Sequence, residues 1–325
     1  MTADEVLFIL LRSGLWGTVP MDLAGEVIDW EAVFSLSRQQ AVSGLVYQGV
    51  SLLPESQMPP AEERMKLMVE AGRIGRQAEK VRETAQKVVA ELTEAGFSPL
   101  VFKGPAVARY YQNPELRTSG DIDIFLPGGA GPAAELFVHK GIQVLKESDG
   151  AFRITRDGIT VELHPRYYDL HKRVSDLPDV PSPCAQLLML SSHILKHAIG
   201  VGIGLKQFCD IAMAFAALKG QYEPAEYLSF VNKAGLTRWN DMLCSFLAEH
   251  LGAAPEVLPA YRRVRTDRLL GIVMEGGNFG QHSEGFKVSK AYTAGRFLAH
   301  LRFSLRISPC ETLGIIRDLA KGNIG

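Results

Sequence analysis

Asp121 and Asp123 occupy alternate positions of the stretch LRTSGDIDIFLPGG, interleaved with Ile122, Ile124 and Leu126. A strand that buries the three apolar residues on one face turns both carboxylates to the other, about 7 Å apart at roughly 3.3 Å rise per residue. Two like charges held side by side are unfavourable unless something positive lies between them, so the pair asks for a cation. A third acid, Glu162, lies in AFRITRDGITVELH, where Asp157-Gly158 between two β-rich runs predicts a tight hairpin. Turning there sets Arg153 opposite Glu162, Ile154 opposite Val161 and Thr155 opposite Thr160. One face then carries Phe152, Ile154, Val161 and Leu163; the other carries Arg153, Thr155, Thr160, Glu162 and His164. A slip of one residue would scramble that division. Three carboxylates on neighbouring strands suit Mg²⁺, with Mn²⁺ the other candidate, because such ions take oxygen ligands and keep waters or substrate phosphates. A clamp of this kind serves phosphoryl or nucleotidyl transfer. Taken alone, Glu162 is equally well explained as the cross-strand ion partner of Arg153.

Upstream, Lys103-Gly104-Pro105 closes an apolar strand and opens a helical stretch. Proline is pre-organised for the first helical position. The free N–H groups of that helix, with Gly104 permitting close approach, predict an anion site beside the strand ends, to which Lys103 adds a compact positive charge. Arg117, just before the acidic pair, is either a triphosphate contact or a solvated turn residue. His193 and His197 are four apart on a predicted helix, a zinc-compatible spacing, but no Glu follows the first and no third ligand stands out. Helix-surface or core histidines explain them better. His164 and His171 flank the end of the sheet. GVGIG lacks the preceding strand of a dinucleotide fingerprint, and Thr118, Ser119 and Ser192 sit in no nucleophile elbow.

The succession PLVFKGPAVARYY, LRTSGDIDIFL and ITVELHPR resembles the uncharacterised nucleotidyltransferase family of the DNA polymerase β superfamily. The segment LLMLSSHILKHAIGVGIGLKQFCDIAMAF is similar to that family's helical H, KH, GxGL and D pattern, with His193, Lys196, His197, Gly204 and Asp210 in the matching places. The resemblance covers roughly residues 95 to 215. It implies that Asp121, Asp123 and Glu162 are the metal-binding and catalytic acids, with Glu162 helping to activate the acceptor. It also implies that Lys103, Gly104, Arg117, Ser119, Gly120, Lys196 and His197 hold the nucleotide. The wider superfamily carries Gly-Ser where this chain has Lys-Gly, so a point charge replaces a hydroxyl contact.

The implied activity is metal-dependent transfer of a nucleoside monophosphate from an NTP, ATP favoured, to a hydroxyl or amine of a small-molecule or protein acceptor. The rival is a non-catalytic nucleotide-binding module with a regulatory or interaction role, which has no need of three metal-facing carboxylates.

The elements that must position these residues change character along the chain. Residues 1–95 are predicted helical: Val6, Leu7, Leu10 and Leu11 recur at helical spacing, as do Val33, Leu36 and Val42, and an amphipathic run from Pro60 ends at Gly96. Residues 96–175 interleave short strands (FSPLVFK, the DID stretch, IQVLKE and the hairpin) with a helix from about Pro132 to Lys140. Residues 176–325 return to helical periodicity, interrupted at GVGIG and EGGNFG, and end in the basic–apolar run RFLAHLRFSLRI. The fold class expected is α+β: a small mixed-sheet module of the nucleotidyltransferase type between N-terminal and C-terminal helical segments.

Bulk composition sets outer bounds. Lys and Arg total 35 against 36 Asp and Glu, a net charge of −1, which gives no basic footprint for long nucleic acid. The cysteines Cys184, Cys209, Cys244 and Cys310 form no C-x-x-C pair and predict thiols in a reducing compartment. Acids precede the first apolar run, unlike a secretory signal, and no apolar stretch reaches the length of a membrane span. A cytoplasmic protein is the expectation.

Overall fold

The computed structural model describes residues 1–325 except 22, 148, 172–176, 179–181, 201, 279–289 and 321–325. Four helices lead: α1 (Ala3–Trp16), α2 (Trp30–Gln39), α3 (Ser43–Ser51) and the long α4 (Ala61–Glu94). The sheet follows as β1 (Leu100–Val101), β2 (Asp121–Phe125), β3 (Leu145–Lys146), β4 (Phe152–Arg156) and β5 (Ile159–His164). A one-turn α5 (Pro105–Ala108) and α6 (Gly131–His139) lie between its strands. The chain continues as α7 (Pro183–Ile199), α8 (Leu205–Ala217), α9 (Pro224–Lys233), α10 (Thr237–Leu251), α11 (Asp267–Gly276), α12 (Lys290–Ala299), α13 (Leu301–Ile307) and α14 (Pro309–Ala320). The architecture is mixed α+β, with helices on both sides of the sheet in sequence.

The spatial strand order is β1-β2-β5-β4-β3. Among the described strands only β2 and β5 pair in parallel, and that pairing sets Asp123 beside Glu162 and Asp121 beside Thr160. The hairpin has the predicted register, Arg153 to Glu162 and Thr155 to Thr160. Its two turn residues, Asp157 and Gly158, both take positive φ (51° and 73°), the primed geometry that follows the twist of the strands. The strands expected from FSPLVFK and IQVLKE shrink to two residues each.

The two faces of the sheet serve different cores. Ile122, Ile124, Leu126, Ile154, Val161 and Leu163 pack against the C-terminal half of α4 (Val81, Val88, Leu92) and α6 (Ala133, Phe137). The opposite face carries the acids and ends on Phe125, which joins Phe102 and Tyr167 at the edge of the larger helical core. That core draws on α1 to α3 and on α7 to α10 together. Trp16 Nε1 donates to the Leu251 carbonyl and Arg12 Nε to that of His250, adding polar ties between α1 and the end of α10 within that shared core. α1 and α3 approach at backbone distance: a Cβ on Gly14 would lie 2.0 Å from the Leu45 carbonyl oxygen, and one on Gly49 2.0 Å from that of Leu10.

Val33, Leu36 and Val42 do not share one helix. Ala41 takes φ 55° just past the end of α2, and Val42 caps the start of α3. The break frees Gln40 to reach across the molecule, donating to the Val273 carbonyl and accepting from Leu205 N–H. The RFLAHLRFSLRI run likewise divides, into α12 and α13. Among the described residues, no helix is long and apolar enough to cross a membrane. The segment boundary placed near residue 175, and Phe279 and Gly280 of the EGGNFG run, lie outside the described residues.

Candidate active site

The polar sheet face looks into an open cleft of about 280 Å³. Strand alternation supplies one wall: Asp121, Asp123, Glu162 and His164. The other wall is helical, with His193, Lys196 and His197 from α7 and Lys206 and Asp210 from α8. Lys103 and Gly104 close one end. The structure thus brings Asp121, Asp123, Glu162, Lys103, Gly104, Arg117, Lys196 and His197 to one place, while Ser119 and Gly120 lie outside its walls.

The cation demanded by the acidic pair is present within the protein. Asp123, 7 % exposed, accepts from His164 Nε2 at 2.9 Å and from Lys103 Nζ at 3.4 Å. Burial would raise the Asp123 carboxyl, but the charge of Lys103 and the His164 bond outweigh it and hold the group well below the usual carboxylate range. Burial would lower His164, yet its bonds to Asp123 and Glu162 hold the imidazole up at about 9. Glu162 meets both His164, at 3.5 Å, and Arg153, at 3.5 Å, so the cross-strand ion pair exists and coexists with a place in the cleft. The ligand atoms of Asp123, Glu162 and His164 all lie within 4.8 Å of one another, a spacing that one metal ion can span.

Gly104 shapes the end of the cleft. It takes φ 46° and ψ −112°, and a Cβ there would meet the Asp121 carbonyl oxygen at 3.0 Å and carry a left-handed φ besides. The predicted anion site at the following helix is absent in that form. α5 is a single turn, and its Ala106, Val107 and Ala108 amides are bonded to the Lys103 and Gly104 carbonyls. Any phosphate recognition there falls to Lys103, which sits 4.9 Å over the Phe102 ring.

Arg117 is not a solvated turn residue: it borders the cleft and is almost fully buried. Its Nε and Nη2 each donate to Asp210 at 2.7 Å, and Nη1 donates to Ser119 Oγ at 3.0 Å and to the Thr118 carbonyl. Tyr111 adds its hydroxyl to the same Asp210 oxygen at 2.7 Å. The pair ties the segment before β2 to α8, which fixes the helical wall relative to the acids.

Asp169, in the loop after β5, is the member that residue patterns did not single out. It accepts from His193 Nδ1 at 2.9 Å and from Lys196 at 3.1 Å, and lies 3.5 Å from Lys103. Burial opposes its ionisation, but Lys103 and Lys196 dominate and keep it well below the ordinary carboxylate range. No period marks a single acid in YYDL, so only the folded contacts reveal it. Lys206 is similarly silent in sequence; burial, with Arg117 nearby, lowers its ammonium. The rings of His193 and His197 meet edge-to-face with centroids 4.6 Å apart, and both line the cleft, so the α7 histidines belong to this site and not to a remote surface.

No curated protein and no solved structure matches the chain. A family model does, across more than half of it and spanning every wall of the cleft. Over residues 26–252, the chain belongs to the uncharacterised nucleotidyltransferase family.

Proposed function

We propose that the chain transfers a nucleoside monophosphate from an NTP, ATP favoured, to a hydroxyl or amine of a small molecule or a protein. The supporting observation is one cleft with opposed walls, carboxylates from two parallel strands facing lysines and imidazoles from two helices. Asp121, Asp123 and Glu162 offer the hard oxygen donors that fit Mg²⁺ or Mn²⁺, and Asp123, Glu162 and His164 have the required proximity. When bound, the ion would neutralise charge on the phosphates.

The chain's own residues perform the remaining tasks. Lys103, Lys196 and Lys206 line the cleft as cations for the triphosphate, and His197 borders them. Lys103 and His164 hold Asp123 ionised in the free protein, so the acid is ready to take up a cation without first losing a proton. Arg117 acts at one remove: its lock on Asp210 sets the distance between the walls. Phe102, against whose ring His164 and Lys103 lie, joins Phe125 and Tyr167 in an apolar aromatic cluster behind these charges.

Thermal denaturation of the full chain with each of the four NTPs, with and without Mg²⁺, tests binding. The expected result is stabilisation by at least one NTP that needs the metal. Incubation with that NTP, labelled on the α-phosphate, and cell extract tests transfer. Label on an acceptor supports the enzyme; metal-dependent binding with no label favours the regulatory module.

A further inference from the structure

We propose that His193, oriented by Asp169, is the general base that takes the proton from the acceptor as it attacks. This rests on the nucleotidyl-transfer reading above and departs from the resemblance, which gives activation of the acceptor to Glu162. Glu162 is flanked by Arg153 and His164, and Asp123 by Lys103 and His164, so each of these carboxylates already faces two cationic side chains. His193 differs. Its Nδ1 lies 2.9 Å from Asp169 Oδ2, and an ionised carboxylate only accepts, so Nδ1 carries the proton. In the neutral ring the lone pair is then on Nε2. No hydrogen bond reaches Nε2 among the described residues, the atom is not among the sealed and unsatisfied ones, and the ring lines the cleft.

The surroundings keep the ring neutral. Burial and the charge of Lys103 lower the His193 imidazole, and Asp169 and Asp123 counter them only in part. The charged and titratable groups bearing on it are Lys103 before α5, Asp123 on β2, Asp169 after β5, and Lys196 and His197 on its own helix. Lys103 touches both Asp123 and Asp169, so a single lysine joins the acidic wall to the Asp169–His193 pair. In the step itself, the acceptor oxygen or nitrogen forms a bond to the α-phosphorus while its proton passes to Nε2. The bond from the α-phosphorus to the bridging oxygen breaks, and that electron pair leaves with pyrophosphate. Asp169 offsets the charge of the imidazolium until the proton passes to solvent. The arrangement is the one by which a carboxylate fixes the tautomer of a catalytic histidine.

Two measurements on the full chain test this. Carbethoxylation by diethyl pyrocarbonate at pH 7, mapped by peptide mass, should modify His193, and Asp169→Asn should slow that reaction about tenfold. An unreactive His193 overturns the inference whatever the donor nucleotide. His193→Gln should keep the Mg²⁺-dependent NTP shift in melting temperature while label transfer falls roughly a hundredfold or more, the range of a lost general base. The acidic limb of the wild-type rate against pH should vanish with it. Label transfer by His193→Gln within threefold of wild type overturns the assignment. Asp169→Asn serves as the second variant should His193→Gln disturb packing. A wild-type chain with no Mg²⁺-dependent NTP shift instead brings down the parent reading, and this inference with it.

Discussion

Arg117 and Lys103, two of the buried cations that border the cleft, are held in opposite ways. Arg117 is saturated: both of its contacts to Asp210 measure 2.7 Å, its remaining donor serves Ser119 and Thr118, and Tyr111 completes the acceptor. Lys103 is shared: it lies 3.4 Å from Asp123 and 3.5 Å from Asp169, distances that leave both carboxylates able to take better partners. A planar guanidinium fits a carboxylate bidentately, whereas an ammonium is a point charge that several acids can hold at once. The first arrangement is suited to fixing a wall in place. The second is suited to giving way when phosphates and a metal arrive.

The sharpest way to break the comparison is to remove the saturated pair. Arg117→Ala leaves Asp210 buried without its charge partner and should cost about 3–5 kcal/mol by urea unfolding, with Arg117→Lys recovering little. A loss below about 1 kcal/mol would show that the lock is dispensable. Lys103→Met should cost less stability, on the order of 2 kcal/mol, yet lower turnover about a hundredfold, because the charge it supplies matters most as pyrophosphate departs. Equal turnover would make Lys103 a structural cation like Arg117.

The acids sharpen the same contrast. Asp121→Asn and Asp123→Asn should each abolish the Mg²⁺-dependent NTP shift. Without nucleotide they should part company: Asp123→Asn weakens the free protein by roughly 1–2 kcal/mol, since Lys103 and His164 lose a charged partner, while Asp121→Asn stays within about 0.5 kcal/mol. Relief of like-charge repulsion would have made both changes harmless, but the cations beside Asp123 reverse that for one of them. Two unaffected variants would mean that Asp123 does not compensate those cations.

The smallest effect concerns His171, two residues beyond Asp169. Its Nδ1 meets Glu311 and its Nε2 meets Asp318, both at 3.1 Å, which clasps α14 to the loop that carries Asp169. The Glu311 bond, against burial, raises its folded pKa. A raised histidine contributes stability that is whole below its unfolded value of about 6.5 and is lost as pH rises through the folded value. His171 should therefore contribute a fall of on the order of 1 kcal/mol as pH climbs above about 6.5, on top of the fall from His164, which is held up at about 9, and His171→Ala should remove that part of the slope. An identical slope in the variant would assign it to another group.

How much of this was legible beforehand follows the range of each interaction. The hairpin register could be read because a period of two and an Asp-Gly turn are properties of adjacent residues, and pairing Arg153 with Glu162 follows from counting. The end of α4 near Gly96 was legible for the same reason, since Gly96 takes φ 87° just past the last turn. The break at Ala41 was not, because Gln40 is drawn there by Val273 and Leu205, far away in sequence. Free amides at Lys103-Gly104-Pro105 were expected from a helix that closes after one turn. Arg117 left two readings open; burial rules out the solvated turn, and the partner that buries it, Asp210, lies 93 residues on, beyond any local pattern.

By itself, the sequence determined the acidic wall. Alternation turns Asp121 and Asp123 to one side of β2, and Glu162 to the polar side of its hairpin, because neighbouring Cβ atoms of a strand point to opposite sides; the parallel pairing of β2 with β5 then sets them side by side. Tertiary structure alone decided the basic wall and what each charge is for. The contacts of Asp169 with Lys103, His193 and Lys196 join the β1 end, the loop after β5 and α7, segments that only the shared helical core brings together. Charge recognition acts through space, and no local period encodes it.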